Sequence, residues 1–122
     1  MRIYREFLFE AAHRLPFAPK GHPNARIHGH SFGVRIWVEG TPDPQKGVVV
    51  HFDDLSSAVK EVQETLDHQF LNDVEGLNTP TLENIAIYMW DRLFPKISNL
   101  AQIEIHRDSC HEGCIYTGPK KI

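Results

Sequence analysis

Two histidines flanking a glycine, within Arg26-Ile27-His28-Gly29-His30-Ser31-Phe32, constrain this chain more than any other stretch. On an extended strand, residues two apart share a face, so both imidazoles point the same way. Gly29 carries no side chain, and a second backbone or a ligand can approach the opposite face closely. His13 closes another strand-like run, Phe7-Leu8-Phe9-Glu10-Ala11-Ala12-His13. If the two strands pair, His13, His28 and His30 converge on one point. Three neutral imidazoles with a fourth position open form the ligand set of a catalytic zinc rather than a structural one. The competing reading is a surface His-x-His pair without a ligand, with His13 an ordinary core or edge histidine.

The rest of the pattern is α+β. Residues 2–12 are rich in Ile, Tyr and Phe and read as strand. The segment 15–27 holds Pro16, Pro19, Gly21 and Pro23 and reads as a loop long enough to have a functional role. Ser31 to Gly40 alternates and is the next strand, Thr41 to Gly47 is turn chemistry, and Val48 to Phe52 is a short strand. Asp53 caps a helix from Asp54 to Leu66, whose buried face is Leu55, Val59, Val62 and Leu66. A second helix follows Thr79 as cap, with Pro80 in its first turn and Glu83 near its N-terminus. Ile85, Ala86, Met89, Trp90 and Leu93 form its apolar face, and Pro95 stops it. Ile103 to Ile105 and Cys114 to Thr117 complete the strands. Two helices on one face of an antiparallel sheet is the expected layer solution. Several strands read as apolar on both sides, so the other face is expected to pack against another subunit.

At 122 residues the chain is one domain, 1–122, with a real core. Its net charge of −3 leaves no basic footprint for nucleic acid. No apolar run reaches membrane-spanning length, and Met1 to Glu6 lacks signal-peptide features. A cytoplasmic location is the expectation. Cys110 and Cys114 are too few for a disulfide scaffold and read as free thiols, one of them near the active site. Eight histidines fit metal or acid–base chemistry, or compositional drift.

Several stretches, in order along nearly the whole chain, resemble one family. They are Phe9-Glu10-Ala11-Ala12-His13-Arg14-Leu15-Pro16, the segment 26–32, Leu66-Asp67-His68 with Leu71-Asn72-Asp73, Pro80-Thr81 with Glu83-Asn84, and Gly113-Cys114-Ile115-Tyr116. The chain resembles the 6-pyruvoyl-tetrahydropterin synthase family, most closely its bacterial 6-carboxy-tetrahydropterin synthase branch. The resemblance implies the tunnelling fold: a four-stranded antiparallel sheet with two helices on one face. Subunits of that fold join edge to edge into a trimeric β-barrel, and two trimers stack into a homohexamer. It implies zinc on His13, His28 and His30, and 7,8-dihydroneopterin triphosphate as substrate. It implies release of acetaldehyde and triphosphate to leave 6-carboxy-tetrahydropterin, on the way to queuosine.

Asp67-His68 resembles the family's acid–base pair, the carboxylate orienting the imidazole. Its alternative is a helix C-terminal pair favoured by the dipole. Asp108 stands where the family has a pterin-anchoring Glu, shortened here by one methylene. Thr81 falls at a pterin-pocket position, with helix capping as the alternative. Arg14 and Arg26 are candidates for the triphosphate, or solvated charges. The family's catalytic cysteine should stand two residues after His22, where this chain has Asn24. An amide cannot form a thiolate or take a proton. His51 also replaces an Asp common before Phe52. Three accounts follow: His22 or a neighbour serves as base, Cys110 reaches in, or the chain is a paralogue that binds pterin and zinc and runs another reaction.

Overall fold

The computed structural model describes residues 1–120. Strand β1 (Arg2–His13) pairs antiparallel with β2 (His28–Glu39), in unbroken register from Arg2 opposite Glu39 to His13 opposite His28. The chain then forms α1 (Phe52–Leu66), a two-residue strand β3 (Gln69–Phe70), α2 (Leu82–Leu93), β4 (Leu100–Arg107) and β5 (Glu112–Tyr116). The sheet order is β3-β1-β2-β4-β5, and β3 runs parallel to β1. The sheet is therefore five-stranded and mixed, which corrects the expected four antiparallel strands. The extra strand arises because His68 takes a left-handed conformation (φ 59°) just past α1, and its N–H binds the carbonyl of Glu10. The chain is thereby folded onto the free edge of β1.

Both helices cover one face. Leu55, Val59, Val62 and Leu66 of α1 and Ile85, Ala86, Met89 and Leu93 of α2 are buried in one core with Phe7, Phe9, Phe32, Val34, Ile36, Ile103 and Ile105. Each such side chain contributes roughly 1.5–3 kcal/mol by leaving water. Helix α1 starts earlier than expected, with His51 at its cap and Asp53 and Asp54 in the first turn, where acidic side chains suit the dipole. The expected strand 48–52 does not form: Phe52 opens α1 and the residues before it pair with no strand. The cap of α2 is Thr81 rather than Thr79. Its hydroxyl accepts the Asn84 N–H at 3.1 Å, while the Thr79 carbonyl accepts the Asn84 side-chain amide at 2.8 Å.

The helix-free face is mixed, with exposed Tyr4, Leu8 and Ile115 beside charged side chains. Arg35 lies between Glu6 and Glu104, at 3.6 Å from each, and over the ring of Tyr4. His106 crosses Gly33 so closely that a Cβ there would sit 2.3 Å from the ring. A glycine is what lets that imidazole lie flat on the sheet.

Candidate metal centre and active site

The register of the β1–β2 pair builds the site. His13 stands opposite His28, and Ala11 opposite His30, so all three imidazoles rise from neighbouring positions on the helix-covered face. One nitrogen of each lies within 4.8 Å of the others. The ring centroids are 4.6, 5.1 and 4.8 Å apart, and Phe32 packs edge-on beneath His13 and His30. Loop and helix fix the rings from outside. His13 Nδ1 donates to the Pro80 carbonyl (2.8 Å), at the start of α2, and His28 Nδ1 donates to the Arg26 carbonyl (2.7 Å). His30 Nδ1 meets Cys110 Sγ at 3.9 Å. Outer partners of this kind orient ligating imidazoles and leave Nε2 as the free lone pair. Nε2 of His13 and of His30 are buried with no hydrogen-bond partner. Two inward-facing orphaned nitrogens in a three-histidine cluster fit a metal ion.

The electrostatics agree. Burial pushes His13 down to about 4, with the charges of His28, His30 and Arg107 adding to it against the Pro80 contact. Burial also lowers His30, helped by Arg107 and His28. His13 and His30 are thus held neutral, as metal ligands must be. In the metal-free protein, unfolded His13 binds a proton that the folded state refuses. Stability is therefore full above about pH 6.5 and is lost as the pH falls towards about 4. Denaturant midpoints of metal-free protein across that range should decline on the acid side.

Asp67 and His68 sit at the β1 edge. Asp67 Oδ1 accepts the Glu10 N–H (2.8 Å), and its other oxygen is 2.9 Å from His68 Nδ1. The Glu10 N–H first, then His68, hold the Asp67 carboxyl below its ordinary range. His68 is exposed and shares an open depression of about 490 Å³ with Glu10, Ala12, Gly29, His30 and Phe70. His30 and His68 thus border the same hollow.

The other candidates are spread more widely. Thr81 caps α2 one residue beyond the carbonyl that holds His13. His22 is exposed and its Nδ1 accepts the Asn24 N–H (3.0 Å), capping a single 3-10 turn, Pro23–Ala25. Asn24 and Arg26 are exposed on the same loop. Asp108 is 87% exposed and accepts from His106 Nδ1 at 2.7 Å, which ties it to the helix-free face. Arg107 follows Ile103 and Ile105 in strand alternation, onto the histidine side, and pairs with Glu112. Arg107 and Glu112 did not emerge from the sequence. The only signal was the β4 alternation carried one step past Ile105.

Fold and site define a class: a mixed sheet under two helices, with a three-histidine group that could hold a metal ion at the loop end of its longest hairpin. The chain belongs to the family described as 6-pyruvoyl tetrahydropterin synthase, which matches residues 2–119. It is 36% identical to 6-carboxy-5,6,7,8-tetrahydropterin synthase of Synechocystis, over 97% of this chain and 94% of that one. It is 34% identical to dihydroneopterin monophosphate aldolase of Pyrococcus furiosus, over 92% of this chain and 90% of that one. Among solved structures, 6-pyruvoyl tetrahydropterin synthase of Caenorhabditis elegans superimposes with a TM-score of 0.86 at 29% identity, covering 98% of this chain and 96% of that one. No helix among the described residues is long and apolar enough to cross a membrane.

Proposed function

We propose that the chain is a zinc-dependent 6-carboxy-5,6,7,8-tetrahydropterin synthase. It would convert 7,8-dihydroneopterin triphosphate with release of acetaldehyde and triphosphate, and so serve queuosine synthesis. The carrying observation is the three-histidine cluster with its two orphaned Nε2 atoms. The likeness to the Synechocystis synthase over nearly the full length supports it. His13, His28 and His30 would hold zinc, which when bound supplies a Lewis acid for the side-chain hydroxyls of the substrate.

The chain's own residues do the rest. His68 moves a proton between the substrate's side-chain carbons and water, and Asp67 orients it and balances its charge. His22, beside Asn24, is the other candidate base. Thr81, Asp108 and Arg26 are the candidate contacts to ring and phosphates. The open edges of β5 and of most of β1 favour edge-to-edge joining of subunits, as a barrel and a homohexamer require. A cytoplasmic place, a small pterin substrate and no nucleic-acid partner complete the reading.

The test is to incubate zinc-loaded protein with 7,8-dihydroneopterin triphosphate and identify every product by mass. Acetaldehyde with a 6-carboxy pterin is the expected result, and binding without any new pterin would sink the reading.

A second reading, side-chain aldolase activity, is favoured by Asn24 at the thiol position and by the likeness to the Pyrococcus aldolase. Glycolaldehyde in the same assay would select it. Asn24→Cys separates the two further. A rate gain of about tenfold or more marks a weakened synthase, whereas no gain over an already fast enzyme marks a different base.

A further inference from the structure

The turn between β4 and β5 lies against His30 of the three-histidine group. Cys110, at its middle, reaches His30 Nδ1 at 3.9 Å. Arg107 enters that turn and Glu112 leaves it, directly opposite one another in the β4–β5 register. Strand alternation puts Arg107 on the side of Ile103 and Ile105, while His106 lies on the other face over Gly33.

Arg107 is an unusual side chain for this position. It is only 15% exposed, and its ion pair is through Nη2 to Glu112. Its Nε is buried with no partner at all. A guanidinium carries five N–H donors, and leaving one buried and unmatched is costly. The partner, Glu112, is 50% exposed, so its carboxylate can turn to water at little cost.

The charge balance points the same way. A divalent ion among the three histidines would add to the positive charge of Arg107, whose paired counter-charge is Glu112. A neutral molecule entering there leaves positive charge uncompensated, whereas an anionic one completes it.

We propose that Arg107 is an anion anchor beside the three-histidine site: its guanidinium receives a carboxylate or phosphate group of the molecule whose hydroxyls reach the histidines, taking the place of Glu112. A planar fork of N–H groups suits either oxyanion through two parallel hydrogen bonds. Glu112 is then a placeholder that keeps the guanidinium paired until the ligand arrives. The proposal rests on the metal reading for the hydroxyl end of the ligand. The anion contact belongs to Arg107 alone.

A matched series tests it by calorimetry on the full chain, zinc-loaded and metal-free: glycerol, glycerate and glycerol 3-phosphate. At least one of the two anions should bind about tenfold or more tightly than glycerol. Preference for glycerate alone identifies a carboxylate as the natural group, and preference for glycerol 3-phosphate alone a phosphate. Arg107→Gln should abolish the preference, while zinc affinity, read by chelator competition, stays equal or rises. Arg107→Lys should retain part of it, since charge survives and the fork does not. Glu112→Gln should act in the opposite direction and tighten the anion by about threefold or more, because a competing carboxylate is gone. A purely structural ion pair would make Arg107→Gln and Glu112→Gln weaken the anion alike, and that result overturns the proposal. So does an anion preference that survives Arg107→Gln. If wild-type protein takes up no zinc, the functional reading above falls, and the metal-free series still decides the anion anchor.

Discussion

His13→Ala is expected to reduce zinc affinity by more than about 100-fold and to abolish turnover, because even the outer partners of metal ligands are worth ~10–100-fold. His13 has no exposed surface and is fixed from both ends, by the Pro80 carbonyl on Nδ1 and by its position opposite His28. Among the described residues, His13, His28 and His30 are the group that could hold an ion. Chelator competition and metal analysis of the purified variant check the affinity, and far-ultraviolet circular dichroism checks that the fold survives. A variant that kept full zinc affinity would leave the site without its deepest ligand and refute the three-histidine reading.

Asp67→Asn should cut kcat by about 100-fold or more while zinc affinity stays at the wild-type value, the size being that of general acid–base catalysis. The substitution is conservative for the fold, because an amide oxygen can still accept the Glu10 N–H. What it removes is the negative charge 2.9 Å from His68 Nδ1. His68 then loses the carboxylate that orients it, so the loss should fall on kcat rather than on metal binding. The wild-type pair has the sign of a depressed carboxylate. The stability contributed by Asp67 is present above its unfolded pKa and lost as pH falls through the folded one. A lowered kcat accompanied by lost zinc affinity would point to a purely structural Asp67.

The parts of this architecture visible in the sequence are those governed by short-range periodicity. The period-two runs ending at His13 and starting at His28 were enough to expect a hairpin, and helical spacing gave the buried faces of both helices. Matters decided by long-range closure were not visible. Strand β3 is two residues long, and it exists only because a left-handed histidine turns the chain against β1. The short strand read at 48–52 had suitable residues, yet Phe52 belongs to α1 and the others pair with no strand. Similarly, the motif spacing marked Asp108, whereas the turn geometry presents Arg107 and Glu112 on the histidine side and ties Asp108 to His106. A one-residue change of phase at a strand end exchanges faces, and no local pattern records it.

The register that sets His13 opposite His28 has a mechanical corollary. Everything from Arg14 to Ile27 leaves the sheet and returns at that one rung. An ion gripped there clasps the neck of the proline-rich lobe. A cross-link closing a segment of comparable length restricts the denatured chain by about 3 kcal/mol. Loading the centre should therefore slow trypsin cleavage after Lys20, within that lobe.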